Sequence, residues 1–538
     1  MVELISELEA TAADVFGWPS LASYQSEAMS AVMRGQDTLV IMATGSGKSA
    51  VYQVPGIHLN GIVVVISPLI ALQHDQIKAL EDVGIGAVAI NSQQRKRDLT
   101  AAWDRIRSGG AQFVFATPEQ LTDDEIASAL DELNVALLVI DEAHCISAWG
   151  HDFRPEYLRL AGVRRALGNP PIAALTATAS PPVRQEIIQR LELRNAHVVA
   201  GGFDRPEISL SLEHVVDAQD RQRRVVEHIL ELNGPGLVYA ATRKDTHAYA
   251  DALAQHGLRT ASYHAGLRRS ARDEVHNAFL ADEVDAVVAT SAFGMGVDKP
   301  NVRYVVHAAA PDSLDTYYQQ IGRGGRDGDP TTATLFYRSE DLALARLFTT
   351  QRPDRDMLRS VMTALHDDSP QRLTALRKHL GVRGRTYINA INLLERADVL
   401  HSTREGLVAR DVSVDESIDR AIDITRQGEE FDRTRVEMLR EYAETAHCRR
   451  QLLLGYFGEL TDTACGNCDR CRSGSDTRPT NAGPFDLGAK VEHEEWGTGE
   501  VIDTSTDRLT VRFERHGYRT LSVGAVTRHQ LLATRSKQ

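Results

Sequence analysis

The stretch TLVIMATGSGKSAVYQ, from Thr38 onward, passes from an apolar strand (Thr38 to Met42) through a glycine-rich turn into the start of a helix. No other feature constrains the fold as strongly. A turn whose backbone N–H groups face an anion needs a sheet to hold the strand before it and a helix to follow, which is an α/β arrangement. The N–H groups from Gly45 to Lys48 can then surround phosphates, with the helix dipole adding to the attraction. Thr44, Gly45, Ser46 and Gly47 form the cradle, Lys48 reaches the β/γ-phosphates of a nucleotide, and Ser49 ligates Mg²⁺. Met42 stands where the strict G-x-x-x-x-G-K-S/T pattern has its first glycine, so the reading rests on the strand–turn–helix context. The plain alternative is a flexible Gly/Ser loop.

A second strand, in ALLVIDEAHC, ends in two carboxylates about a hundred residues later. Asp141 can hold the Mg²⁺ shell, and Glu142 can orient and deprotonate an attacking water. A second α/β unit begins near Gly236 with GLVYAATRKD and closes with YYQQIGRGGRDGDP. Arg323 and Arg326, flanked there by glycines, could lie in a solvated loop. Their place in a second domain suits fingers that reach across a cleft to charge on a transferred phosphoryl group.

At 538 residues the chain calls for three to five domains at about 100–200 residues each. No run of about 18 apolar residues is present, and the acidic start MVELISELEA lacks a signal peptide's basic end, so the expected compartment is the cytoplasm. The net charge of −14 excludes nucleic-acid binding over the whole surface and leaves it to local basic strips. Four of the five cysteines fall between Cys448 and Cys471. Cys448, Cys465, Cys468 and Cys471 make a four-thiolate set that suits tetrahedral Zn²⁺ in a structural role, with an iron–sulfur cluster as the competing occupant. Cys145 stands apart as a small core residue.

The ordered set TGSGKS, VVISPLIALQHDQ, ATPEQL, DEAHCISAWGHDFRPEY, LTATAS, TRK, AFGMGVDKPNVR and QQIGRGGRDG resembles the motif series of superfamily 2 helicases, and the RecQ family within it, over residues 15 to 345. The resemblance implies two RecA-like lobes, dependence on ATP and Mg²⁺, and 3′→5′ unwinding of DNA. It implies that Gln25 reads the adenine edge with Trp18 stacking nearby, although Ala22 stands where the family commonly has arginine. Gln319 would sense the γ-phosphate and water, and Thr176 to Thr178 would couple the site to the strand path. Ser67, Thr117, Arg243 and Thr290 belong to motifs that touch the strand backbone, a contact that positions nucleic acid without reading its sequence. The segment after DEAH would contact single-stranded DNA and report its presence to the ATPase site. Trp149 and Phe153 offer faces for base stacking there and Arg154 offers charge; inward packing of both aromatics is the alternative. The cysteine spacing resembles the RecQ zinc module.

Between the second lobe and the cysteines, MLRSVMTALHDD, SPQRLTALRKHLG and RTYINAINLLERADVL read as three amphipathic helices, with HSTREGLVARD as a β-wing. This order predicts a winged helix with residues 384 to 399 as the recognition helix. Arg372, Arg377, Lys378, Arg383 and Arg385 form its basic strip with no acidic residue among residues 371 to 388. DNA contact and protein docking are the two roles open to it. Many RecQ proteins instead place a winged helix after the zinc module. Here SGSDTRPTNAGP reads as a linker to short alternating strands, a small SH3- or Tudor-like barrel. It resembles the C-terminal barrel of UvrD/PcrA-type helicases, which implies a docking module for a protein such as RNA polymerase. The expected organisation is an α/β pair of RecA-like lobes (1–205 and 206–345), a winged-helix insert (346–425), a helical zinc module with four cysteine ligands (426–478), a linker (479–484) and the barrel (485–538). The expected activity is that of a DNA-stimulated ATPase and 3′→5′ helicase or translocase on single-stranded and partly duplex DNA, in repair or recombination. An RNA helicase, a duplex translocase and a nucleotide-switched binding scaffold are the alternatives.

Overall fold

The computed structural model describes residues 2–91, 94–121, 126, 129–130, 133–147, 153–294, 298–342, 353–365, 370–382, 385–403, 406–474, 484–514 and 516–534. The first lobe is built on seven parallel strands: β1 (Thr38–Ile41), β2 (Ile62–Ile66), β3 (Ala87–Ile90), β4 (Phe113–Ala116), β5 (Val135–Ile140), β6 (Ile172–Thr176) and β7 (His197–Ala200). Their order across the sheet is β3-β4-β2-β5-β6-β1-β7. Sequences such as IVVVI in β2 and VALLVI in β5 are unbroken apolar runs because helices cover both faces of a parallel sheet.

The second lobe repeats the plan with β8 (Ile208–His214), β9 (Gly236–Tyr239), β10 (Thr260–Tyr263), β11 (Ala286–Ala289), β12 (Tyr304–His307) and β13 (Thr331–Tyr337). These six strands are also parallel, in the order β10-β11-β9-β12-β13-β8. In such sheets ligands gather beyond the carboxyl ends of the strands. The turns after neighbouring β4, β2, β5, β6 and β1 deliver, in that spatial order, Thr117, Ser67, Asp141 with Glu142, Thr178 and the phosphate loop.

The insert contains helices Arg355–Ala364, Leu373–His379 and Arg385–Arg396, then the hairpin β14 (Leu400–Ser402) and β15 (Leu407–Ala409), with Gln371 bridging to Leu407. Leu358, Met362, Leu376, Tyr387, Ile391 and Leu394 close a core of its own. Ser413 then caps a helix of 31 residues, Val414–Glu444, by accepting from the Glu416 N–H at 3.2 Å. This helix runs unbroken across the boundary expected at 425/426, so the insert and the cysteine module share it.

The C-terminal segment forms a five-stranded antiparallel sheet of β16 (Lys490–His493), β17 (Gly497–Thr504), β18 (Arg508–Phe513), β19 (Gly517–Ser522) and β20 (Ala533–Thr534). It is packed into the body of the molecule: the Tyr518 ring stacks on Tyr456 at 4.6 Å, and its hydroxyl donates to the Tyr456 carbonyl at 2.9 Å. Residues 479–483 of the expected linker lie outside the described residues. Among the described residues no helix is long and apolar enough to cross a membrane.

Candidate functional site

Gly45 and Gly47 turn the phosphate loop with φ of 81° and 73°, the left-handed region that favours glycine. Each is also crowded. A β-carbon on Gly47 would lie 2.9 Å from Gln25 Nε2, and one on Gly45 would lie 3.1 Å from Arg326 Cγ. Lys48 folds over its own loop, its Nζ donating to the carbonyls of Met42 and Ala43 at 3.2 Å each. Burial pushes its ammonium below the ordinary lysine range, against the pull of Glu142 and Asp141. Ser46 Oγ donates to the Ala43 carbonyl at 2.7 Å, and the buried Thr44 Oγ1 has no hydrogen-bond partner among the described residues. Ser49 precedes helix Ala50–His58 as its N-cap.

Gln25 commits its whole amide to this loop. Its Nε2 donates to the carbonyls of Ser46 (3.0 Å) and Gly47 (3.2 Å), and its Oε1 accepts from the Ala22 N–H at 2.8 Å. Contact with an adenine edge therefore requires exchange of these bonds. Trp18 stacks on Phe16 with ring centroids 4.5 Å apart.

Asp141 follows β5 and is buried. It accepts from the Glu142 N–H at 3.0 Å and from Ser67 Oγ at 3.4 Å, while Tyr157 donates to its carbonyl at 3.0 Å. Burial, with the Glu142 carboxylate second, lifts the Asp141 carboxyl to about 7. Glu142 adopts φ 49° and ψ 45°, a left-handed backbone uncommon for a residue with a side chain and a form of strain that clusters at functional sites. Its Oε2 lies 3.3 Å from His144 Nδ1, and that nitrogen is 2.9 Å from Thr176 Oγ1. Thr176 Oγ1 donates to the Thr178 carbonyl at 3.1 Å. The DEAH turn and the threonine turn are thus one hydrogen-bonded unit.

From the second lobe, Arg323 and Arg326 follow helix Leu314–Ile321, on which Gln319 is half-buried. Both Nε atoms are buried without a hydrogen-bond partner among the described residues. Arg326 pairs with Asp298 at 2.5 Å, and burial lowers its guanidinium from the ordinary value. Arg205, which the sequence did not mark, ties the lobes together: its guanidinium donates to the carbonyls of Thr44 (2.8 Å), Gly322 (3.2 Å) and Gly324 (2.9 Å). The only signal in the sequence was a lone arginine in the connection between lobes. Triphosphate binding between these basic groups suits the orphaned donors.

The residues expected along the strand path separate into two groups. Arg243 is exposed at the start of helix Arg243–Gln255, and Thr290 follows β11 in the adjacent strand of the same sheet. Ser67 and Thr117, by contrast, are only 1% and 5% exposed. The Ser67 hydroxyl donates to the Asp141 carboxylate at 3.4 Å. Phe153 lies beneath Arg396 of the insert, 5.4 Å from guanidinium carbon to ring centre, which is partial inward packing. Arg154 N–H donates to the Cys145 carbonyl at 2.8 Å and its Nη1 to the Pro68 carbonyl at 3.4 Å. Trp149 and Arg383 lie outside the described residues, as does the side chain of Arg385, whose backbone opens the helix Arg385–Arg396. Arg372, Arg377 and Lys378 are exposed on or beside the helix before it.

The ligand atoms of Cys448, Cys465, Cys468 and Cys471 all lie within 4.8 Å of one another. Tetrahedral Zn²⁺ with bonds of about 2.3 Å separates its sulfurs by about 3.8 Å. The Cys465–Cys471 and Cys468–Cys471 pairs stand at 3.9 and 3.4 Å. Backbone N–H groups of Cys465, Asn467 and Cys471 point at the sulfurs of Cys448, Cys465 and Cys468. The set fits Zn²⁺, with all four positions filled by protein. The module grips the second lobe: Arg435 pairs with the buried Asp315 at 3.2 Å, Tyr456 Oη donates to the same carboxylate at 2.5 Å, and Tyr442 Oη donates to Tyr317 Oη at 3.1 Å. Asp315 and Tyr317 belong to the helix that carries Gln319.

Residues 22–187 match the DEAD/DEAH box helicase family, residues 221–328 the helicase conserved C-terminal domain, and residues 411–472 the RecQ zinc-binding family. The chain is 35% identical to an ATP-dependent DNA helicase RecQ of Haemophilus influenzae over 85% of its own length and 62% of that protein's, so it spans less than two thirds of that relative. It is 31% identical to an ATP-dependent DNA helicase RecQ of Bacillus subtilis over 98% of its length and 78% of that protein's. Among solved structures, the Mycobacterium smegmatis helicase Lhr bound to ssDNA and AMP-PNP aligns with a TM-score of 0.51 at 19% identity, over 91% of this chain and 68% of that one. The shared architecture is the pair of RecA-like lobes.

Proposed function

This chain belongs to the RecQ family of helicases, and from that membership we propose that it is an ATP-dependent 3′→5′ DNA helicase or translocase acting in repair or recombination. The observation that carries the reading is the approach of Arg326 to Gly45, a second-lobe cation against the phosphate loop. ATP binds in the loop once Lys48 exchanges its two carbonyl bonds for the β/γ-phosphates. Ser49 and Asp141 would hold Mg²⁺, which would neutralise charge on the phosphates. Glu142 takes the proton of the attacking water, and Gln319, Arg323 and Arg326 meet the charge that develops on the transferred group. Closing and opening of the lobes around that charge moves a strand held by Arg243 and Thr290, with Trp149, Phe153 and Arg154 reporting its presence.

The insert reads as a winged helix, supported by its order of helix, Gln371 bridge, two helices and hairpin. Its exposed arginines and lysine suit the backbone of a duplex ahead of the motor. The C-terminal sheet reads as SH3- or Tudor-like, supported by the strand order β19-β18-β17-β16-β20 with a short helix before the last strand. A protein such as RNA polymerase is the partner such a module would take, and the cytoplasm is the compartment.

Turnover is measured with single-stranded DNA, duplex DNA or RNA as activator, together with strand displacement on 3′- and 5′-overhang substrates. Stimulation by single-stranded DNA, displacement from 3′ overhangs and loss of turnover in Glu142→Gln are expected. Equal rates with and without DNA, or displacement only from 5′ overhangs, overturn the reading.

A further inference from the structure

Two described residues of the segment after DEAH, Ser147 and Phe153, serve as its feet. The Arg154 N–H to Cys145 carbonyl bond, at 2.8 Å, closes the base between them. Phe153 meets the end of the insert's third helix directly, and Ser147 is joined to it through helix Pro181–Arg190. Ser147 Oγ donates to Glu186 Oε2 at 2.6 Å, Glu186 pairs with Arg190 at 3.6 Å, and Arg190 donates to the Arg396 carbonyl at 2.8 Å. On the other side the Arg396 guanidinium covers the Phe153 ring at 5.4 Å. Just beyond, Arg159 pairs at 3.7 Å with Glu395, whose other oxygen accepts from Ser402 of β14 at 2.6 Å. Glu395 is 8% exposed. Arg396 Nε has no hydrogen-bond partner among the described residues, and burial lowers the guanidinium's pKa while Glu186 opposes the shift. Such a partly desolvated cation over a ring is in the stronger range for this interaction.

We propose that the end of helix Arg385–Arg396 is the seat of the segment after DEAH, with Arg396 and Glu395 as positioning residues that hold it at Phe153 and Arg159 and so set how strongly a bound strand accelerates ATP hydrolysis. The inference rests on the reading that this segment reports a strand. Its physical content is separate. The guanidinium occupies one face of Phe153, so at most one face is left for a base, and the ring serves as an anchor. Because the same helix belongs to the insert, the insert acts on turnover through the segment's position, without touching nucleotide.

Two full-length variants test this: Arg396→Met, which keeps the stem and removes the charge, and Arg396→Lys, which restores a cation. Amide hydrogen exchange of residues 143–147 and 153–159 is followed without DNA, with 38–41 as internal reference. ATP turnover is then titrated with oligo-dT. Arg396→Met is expected to speed exchange at 153–159 by roughly three- to tenfold and to raise the oligo-dT concentration for half-maximal stimulation by about the same factor. Its DNA-free turnover stays at the parent level, and Arg396→Lys recovers most of both changes. Adding Phe153→Leu to Arg396→Met leaves exchange no faster. Glu395→Gln, a milder change that keeps a group for Ser402, shifts both readouts in the same direction and guards against misfolding of the methionine variant. Unchanged exchange in Arg396→Met and Glu395→Gln overturns the seat whatever DNA does to turnover. Faster exchange with an unaltered oligo-dT response overturns the coupling. If parent turnover ignores oligo-dT while exchange responds to the variants, the seat stands and the strand-reporting reading falls.

Discussion

Arg326 of the second lobe rests against Gly45 of the phosphate loop, where a β-carbon would stand 3.1 Å from its Cγ and 3.3 Å from its Nε. Gly45 also holds φ at 81°, so a side chain there is opposed twice. Gly45→Ala is expected to cost about 1–2 kcal/mol in backbone strain alone and to displace the arginine. Steady-state hydrolysis should show a turnover reduced by roughly tenfold or more. Arg326→Ala, which removes the charge and leaves the loop relaxed, should lower turnover by about a hundredfold or more with little change in KM.

A second expectation concerns pH. The Asp141 carboxyl, held up to about 7 first by burial and then by Glu142, is protonated below that pH in the free protein. A raised carboxyl pKa contributes stability that is present at low pH and lost as pH rises from the ordinary carboxylate range through 7. Asp141→Asn removes that dependence. Melting of the nucleotide-free variant should exceed that of the parent by a few degrees at pH 8 and converge with it only as pH falls to the ordinary carboxylate value of 3.8, while turnover is lost at every pH. A variant that melts below the parent at pH 8 would contradict the assignment.

The buried Arg435–Asp315 pair predicts an asymmetry. Removing one partner strands the other charge, so Asp315→Asn or Arg435→Met alone should destabilise by about 3–5 kcal/mol in denaturant titration. The double variant should recover a large part of that loss. Simple additivity would mean that Tyr456, which also bonds Asp315, already compensates each single change.

Zinc removal should reach the ATPase site from a distance. Chelation, or Cys471→Ser, frees a module that braces the helix carrying Gln319 through Asp315 and Tyr317. Metal release followed with a chromogenic chelator should coincide with a fall in melting temperature and in turnover. Retained turnover after complete release would confine the metal to local stability.

The strands before the phosphate loop and before Asp141, β1 and β5, were legible because a strand buried on two faces must be apolar throughout. The insert's helices were legible from amphipathic spacing, and the four cysteines from their crowding. Less visible were relations between residues far apart in sequence. Asp315 and Arg435 are 120 positions apart, and neither lies in a pattern that names the other. Phe153 read as a stacking platform because a sequence shows an aromatic without what covers it, here Arg396. The bond from Ser67 to Asp141 joins residues 74 positions apart, and neither motif names the other. Helix Val414–Glu444 was divided at 425/426, close to Gly428, which costs a helix about 1 kcal/mol. Burial on one side by the insert and on the other by the cysteine module overrides that cost.

That helix also has a mechanical meaning. Near its C-terminal half it is pinned to the second lobe at Asp315, while its first residues carry the insert, which touches the first lobe at Phe153. From Arg435 back to Val414 the rod extends ~31 Å at 1.5 Å per residue. A turn of the second lobe by ~5° about that pin would sweep the far end through ~3 Å, comparable with the 5.4 Å that separates the Arg396 guanidinium from the ring beneath it. The helix would therefore act as a displacement amplifier, carrying a small rotation at the cleft to the contacts of Phe153, Arg159 and Arg190 with the insert.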